Sequence, residues 1–182
     1  MKLSTLFRTK ENLSLDKNTL TILRYIAIIG QILAISIVFY YLKLPFPILE
    51  SYLIISLGLA TNLYLQFGIK INQLKDFYAA PFLLIDLVQL SALLYLTGGI
   101  NNPFVVFLIV PAIISSTLLN LSSTIFLSII TIFGLILITF NHYPLPHPGN
   151  LHFHVPTYYT LSIPIALTVI LVFLNYFGFR FG

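Results

Sequence analysis

Apolar residues run almost unbroken through six stretches of the chain, at roughly 21–42, 48–68, 78–97, 104–120, 122–141 and 157–179. The hydrocarbon core of a bilayer is crossed by about 20 such residues at about 1.5 Å rise each. The pattern therefore predicts an all-α fold: a polytopic membrane bundle of six transmembrane helices spanning residues 20–180. No stretch remains for a soluble domain. Residues 1–19 break the pattern, mixing Lys2, Arg8, Lys10, Glu11, Asp16 and Lys17 with scattered Leu and Phe. A secretory signal, which needs a short basic region followed directly by an apolar stretch and a cleavage site, is not expected there, since the first long apolar run begins only near Leu20. A cytoplasmic tail is expected there, either solvated or laid on anionic lipid through Leu3, Leu6, Phe7 and Leu13. Pro111 and Pro164 fall inside spans and should bend them, which neighbouring helices tolerate in a membrane. The link near Asn120 to Ser123 is very short and uncharged, so the boundary between the fourth and fifth spans is the least defined.

Composition agrees. The chain is 58% hydrophobic and 8% charged, where soluble domains carry roughly 25% charged residues. Its mean hydropathy is +0.99. It has no cysteine, which excludes disulfides, thiolate metal sites, thiol redox chemistry and cysteine nucleophiles within it. The net charge of +4 informs orientation more than nucleic-acid binding. With the N-terminus inside, Lys2, Arg8, Lys10, Lys17, Arg24, Lys70, Lys75 and Arg180 all fall on the inner side, and Lys43 alone falls outside. Basic residues favour cytoplasmic loops. A multi-pass membrane protein with both termini inside is expected.

Chemistry has few candidates. Between Asp86 and Arg180 there is no Asp, Glu, Lys or Arg, which argues against a pump, channel or coupled carrier. The third span carries Asp86 and Gln89, with Thr97 at its outer end, approximately on one helical face. Asp86 and Gln89 read as intramembrane polar support beneath a ligand site, or as interhelical glue to Gln31 or Asn62. With no cation in the second half of the chain, a neutral Asp86 is expected. His142, His147, His152 and His154 lie in a Pro-rich outer loop without carboxylate or thiolate company, and no metal site is expected.

The segment Leu96–Phe104, LTGGINNPF, has two readings. As turn chemistry, Gly98 or Gly99 takes a left-handed conformation, Asn102 caps the next helix and Pro103 opens it. As a ligand site, the glycines let a flat molecule reach the backbone, and the start of the fourth helix leaves N–H donors unpaired. Phe104 adds an aromatic face. A neutral, flat, lipid-borne molecule with carbonyl oxygens fits that description, as a quinone does.

Gly98-Gly99-Ile100-Asn101-Asn102-Pro103-Phe104 fits the pattern G-G-x-x-N-P-F. It resembles the heptapeptide of the RegB/PrrB family of bacterial redox-sensing histidine kinases. The likeness extends through Asp86–Leu90, Leu93–Gly99 and Phe104–Pro111, and also shows at Leu23–Gln31. Six spans with the motif in the second outer loop match that family's sensory domain. The resemblance implies a membrane sensory domain of a two-component kinase, binding ubiquinone or menaquinone through Gly98, Gly99, Asn102, Pro103 and Phe104. The partners expected are the bilayer, a quinone and a second copy of the chain as a homodimer. A kinase core and a response regulator join them only in a full-length protein, and direct contact with nucleic acid is not expected. The chain departs from the family in stopping two residues after Arg180. It has no dimerisation helix with a phospho-acceptor His, no ATP-binding Asn box, no glycine-rich lid and no redox cysteine, so no kinase catalysis is expected of it. The alternatives are a small membrane carrier that shares the hairpin motif, or an orphan quinone-binding subunit without signalling output.

Overall fold

Asp16 starts the first helix. In the computed structural model, which describes residues 15–146 and 155–181, its carboxylate accepts from Thr19 N at 2.8 Å and Thr19 Oγ1 at 2.9 Å. These bonds, the backbone one foremost, hold the Asp16 carboxyl below its usual range. Helix α1, Lys17–Ser36, follows and continues as a π-turn to Tyr41. The helix thus begins earlier than expected, inside the tail assigned to residues 1–19. Leu15–Asp16 is a two-residue strand (β1) paired antiparallel with Gln73–Leu74 (β2), Leu15 opposite Leu74 and both buried. Lys17 Nζ donates to the Gln66 and Ile69 carbonyls at 3.2 and 2.9 Å, satisfying acceptors at the end of the second span. The N-terminal residues expected to contact lipid, Leu3 to Leu13, lie outside the described residues.

Helix α2, Ile48–Leu63, also ends in a π-turn, Tyr64–Gly68. Helix α3 is Asp76–Leu96. A short 3₁₀ turn at Gly99–Asn101 leads to a 3₁₀ helix, Pro103–Ile109, that runs straight into α4, Val110–Leu118. Then come α5, Leu121–Phe140, and α6, Thr157–Phe181. Among the described residues, five helices are long and apolar enough to cross a membrane: Lys17–Tyr41, Ile48–Gly68, Asp76–Leu96, Leu121–Phe140 and Thr157–Gly178. The span expected at 104–120 is a shorter apolar helix, Pro103–Leu118. Its winding offsets its brevity. Seven 3₁₀ residues and nine α residues reach about 28 Å, because 3₁₀ geometry rises about 2.0 Å per residue. Pro111 helps to explain the winding. It has no N–H for the Phe107 carbonyl, and Val110 N takes that carbonyl from three residues on.

Helix α3 is central, touching α2 on one side and α4 and α5 on the other, while α1 packs on α2 and α6 on α4 and α5. Leu87, Leu94, Ile100, Val105 and Leu135 form a buried cluster where α3, the Gly99–Ile109 segment and α5 meet. Asp76 ties the starts of α3 and α5 together, accepting from Asn120 N at 2.8 Å and Ser123 Oγ at 3.2 Å. Asn120 in turn caps α5 through Ser123 N. The outward faces are apolar, with Phe67, Phe133 and Phe173 among many exposed large side chains, as a lipid-facing bundle requires.

Candidate functional site

The heptapeptide closes the turn from α3 into the next helix. Gly98 and Gly99 both take positive φ, +113° and +57°, and Asn101 N and Asn102 N bond back to their carbonyls. Asn102 then spends its whole amide on the turn. Nδ2 donates to Thr97 O at 3.0 Å and Thr97 Oγ1 at 2.8 Å, and Oδ1 accepts from Phe104 N at 2.9 Å. Asn102 is thus the N-cap, with Pro103 at the first helical position, as the turn reading has it. The Val105 N–H bonds to Asn102 O. The free backbone donors expected at this helix start are therefore already taken.

The glycine faces are not open either. A Cβ on Gly98 would meet Leu145, and one on Gly99 would overlap the His142 ring. Residues 142–146 lie over the turn, fixed by Tyr143 N to Tyr95 O at 2.8 Å and by the Tyr95 and Tyr143 rings packed edge to face. The expected approach of a flat ligand to the Gly98–Gly99 backbone is blocked by this segment. The glycines serve the positive φ and the close packing.

A cleft begins where the glycines end. Asn102, Pro103 and Phe104 line one end of a cavity of ≈ 670 Å³ between α1, α3 and α4. Its walls are mostly apolar, among them Ile28, Ile35, Leu90, Leu93 and Phe107. Asp86, Gln89 and Thr97 line it from α3, and Arg24 and Gln31 from α1. The structure thus brings Asn102, Pro103, Phe104, Asp86 and Gln89 to one cavity and leaves Gly98 and Gly99 beside it. A second hollow of ≈ 1060 Å³, lined by Tyr64, Lys70, Asp76 and Phe77, lies at the opposite end of α3 from the heptapeptide.

The floor of the cleft is polar and differs from expectation. Arg24 Nε donates to Asp86 Oδ1 at 2.8 Å, an ion pair across 62 residues of sequence. Asp86 therefore has the cation that the second half of the chain lacks. Arg24 belongs to the interior of the first span, 4% exposed, and not to an inner flank. Its Nη2 donates to Thr61 Oγ1 on α2 at 2.8 Å, and its guanidinium lies 5.3 Å from the Phe82 ring centroid. Nη1 is buried with no hydrogen-bond partner among the described residues. Towards the heptapeptide end, Gln89 Nε2 donates to Gln31 Oε1 at 2.9 Å. Gly58 of α2 makes room for that amide, since a Cβ there would overlap it. Asn62, the other partner considered for Asp86, instead donates to Thr21 O at 3.2 Å. The Gln89–Gln31 bond is the interhelical contact expected of Gln31, whereas Arg24 and Thr61 were not among the candidate site residues. An arginine eight residues into an apolar helix was the available signal, because such a charge has to pair.

Of the histidines, His142 covers Gly99, and His147, His152 and His154 lie outside the described residues. Among the described residues no group of three or more His, Cys, Asp or Glu could hold a metal ion.

No family model and no solved structure matches the chain. Among curated proteins it is similar to the sensor histidine kinase RegB of Cereibacter sphaeroides, 32% identical over 163 residues. The match takes in 89% of this chain and 35% of RegB, so the chain spans about a third of the length of that relative. The likeness carried by the heptapeptide thus extends over most of the chain and bears out the resemblance to the RegB/PrrB kinases.

Proposed function

We propose that this chain, akin to RegB over nearly its whole length, is the membrane sensory domain of a two-component histidine kinase and binds a quinone in the cleft between α1, α3 and α4. The observation that carries the reading is the cleft. It is apolar enough for an isoprenoid tail and large enough for a ring, and Asn102, Pro103 and Phe104 line it. Phe104, 45% exposed, offers the ring a stacking face, and the two glycines shape the turn that presents it. Ubiquinone, or menaquinone in a host that makes it, is the ligand class, and no metal takes part. Asp86 and Gln89 support the site from below. The chain crosses the inner membrane six times, Pro103–Leu118 being the fourth crossing, with both termini inside. The domain acts as a homodimer and controls a cytoplasmic kinase core, which phosphorylates a response regulator.

The mechanism is a population shift. A quinone presents carbonyl acceptors and a quinol presents hydroxyl donors, so a site with fixed donors prefers the oxidised form. Only such a preference biases a two-state bundle. Helix α4 forms one wall of the cleft and packs on α6, whose end leads towards the kinase side. The test is ubiquinone titration of the purified protein by calorimetry, which needs no tryptophan. Submicromolar to micromolar binding, weakened several-fold in Phe104→Ala, is expected. Absence of binding, or equal binding by that variant with crosslinks away from the cleft, overturns the reading.

A further inference from the structure

The polar groups of the cleft are unequally occupied. At the heptapeptide end every donor and acceptor of the Asn102 amide is used, and Thr97 Oγ1 accepts from Asn102 and donates to Leu93 O at 2.8 Å. On α3, Asp86 accepts from Arg24, and Gln89 Nε2 is given to Gln31. Two side-chain nitrogens of the lining make no hydrogen bond at all among the described residues, both on α1. Among the described residues, Arg24 Nη1 is buried without a partner and Gln31 Nε2 donates to nothing. Arg24 and Gln31 stand seven residues apart, two helical turns, on the stripe of α1 that faces the cleft.

We infer that the oxygen-bearing head of the lipid-soluble ligand is held on α1, by the spare N–H groups of Arg24 and Gln31, deeper than the heptapeptide turn. The inference rests on the reading of the cleft as a quinone site and moves its polar anchor. A buried N–H without an acceptor is costly, and a ligand carbonyl entering beside it relieves that cost. The ligand is neutral. Asp86 already balances the Arg24 charge, so an anionic head would gain no net attraction while losing its hydration. Leu90, Leu93 and Phe107 then enclose the ring and the start of the tail, and Asn102–Phe104 forms the outer rim of the cleft. Arg24 and Gln31 are binding residues in this arrangement, whereas Asp86 and Thr61 position the guanidinium.

The test uses a ubiquinone analogue with a photoreactive group on the ring, bound to the intact purified protein, and a headless isoprenoid hydrocarbon as competitor. Crosslinks on α1 between residues 24 and 31 are expected. Gln31→Leu should weaken quinone binding about ten-fold or more and leave competition by the hydrocarbon unchanged, which a merely structural role would not do. Arg24→Lys is the second variant, because it keeps a cation for Asp86 but has no third nitrogen, and a similar loss is expected. Crosslinks confined to residues 98–104, with both variants binding like the parent, overturn this inference and leave the quinone reading standing. If the parent protein binds no quinone, the reading of the cleft fails and the anchor falls with it.

Discussion

Arg24 and Asp86 meet at 2.8 Å across α1 and α3, and the same guanidinium reaches Thr61, so three helices are pinned at one point inside the bundle. Their side chains are 3% and 25% exposed, and both residues line the cleft, the carboxylate being the more accessible of the two. Removing one partner of such a pair strands the other charge. Arg24→Ala or Asp86→Ala is expected to cost about 3–5 kcal/mol. Asp86→Asn should cost less, since an amide oxygen still accepts from Nε. The double variant Arg24→Leu/Asp86→Leu should recover most of the loss. Unfolding midpoints of purified protein check all four, and a double variant no better than either single one would show that packing, not charge, holds the site.

Gly58 is expected to be intolerant for a reason outside its own helix. Its missing Cβ leaves room for the Gln89 amide. Gly58→Ala should push that amide away and break the Gln89–Gln31 bond, a loss of about 1 kcal/mol. Combining it with Gln89→Ala should restore the packing. A Gly58→Ala protein as stable as the parent counts against the interlock.

Asn102→Ala removes three hydrogen bonds of the turn and should destabilise by about 1–2 kcal/mol. Asn102→Asp keeps the acceptor for Phe104 N but sets a carboxylate against the Thr97 carbonyl, so it should rescue little. Thermal unfolding of both variants decides whether the Nδ2 side matters as much as the cap.

The carboxyl of Asp16 is held below its ordinary range by Thr19, so its capping contribution is present at neutral pH and above the unfolded-state value of an aspartate. It is lost as pH falls through the lowered folded value. Amide exchange at Thr19 should therefore stay slow through mildly acid pH and quicken only in strong acid. Faster exchange beginning in the mildly acid range would contradict the cap.

The proposed six crossings predict that alkaline phosphatase fused after residue 101 is active and after residue 73 inactive. Arg24 contributes nothing to the inner-side charge count because it is buried in the span, so the orientation rests on Lys17, Lys70, Lys75 and Arg180 with the basic N-terminal residues. The reverse activity pattern would turn the bundle over.

What could be read from the sequence follows from range. Twenty-residue apolar runs are local, and so are the left-handed glycines and the Asn102–Pro103 start, so those were legible. The 3₁₀ winding of Pro103–Ile109 hides from hydropathy, so a residue count at α rise understates the reach of this segment. Arg24 counts locally as one more basic residue near the first helix's start, and its partner lies 62 residues away. The covering of Gly98 and Gly99 by Leu145 and His142 is likewise a long-range contact, so open glycine faces could not be told from filled ones.

The 3₁₀ winding also sets the shape of one cleft wall. Side chains three residues apart eclipse in a 3₁₀ helix, whereas in an α-helix they fall about 60° short of alignment. Phe104 and Phe107 accordingly stack with centroids 6.1 Å apart and planes 15° apart, and Val110 is the next residue in step. The three form a straight rail about 12 Å long, where α geometry would give a spiral stair. On the proposed reading, a flat ring sliding along it would meet the same surface at each step, so this wall would guide depth without fixing it and leave the stopping point to the polar groups of the cleft.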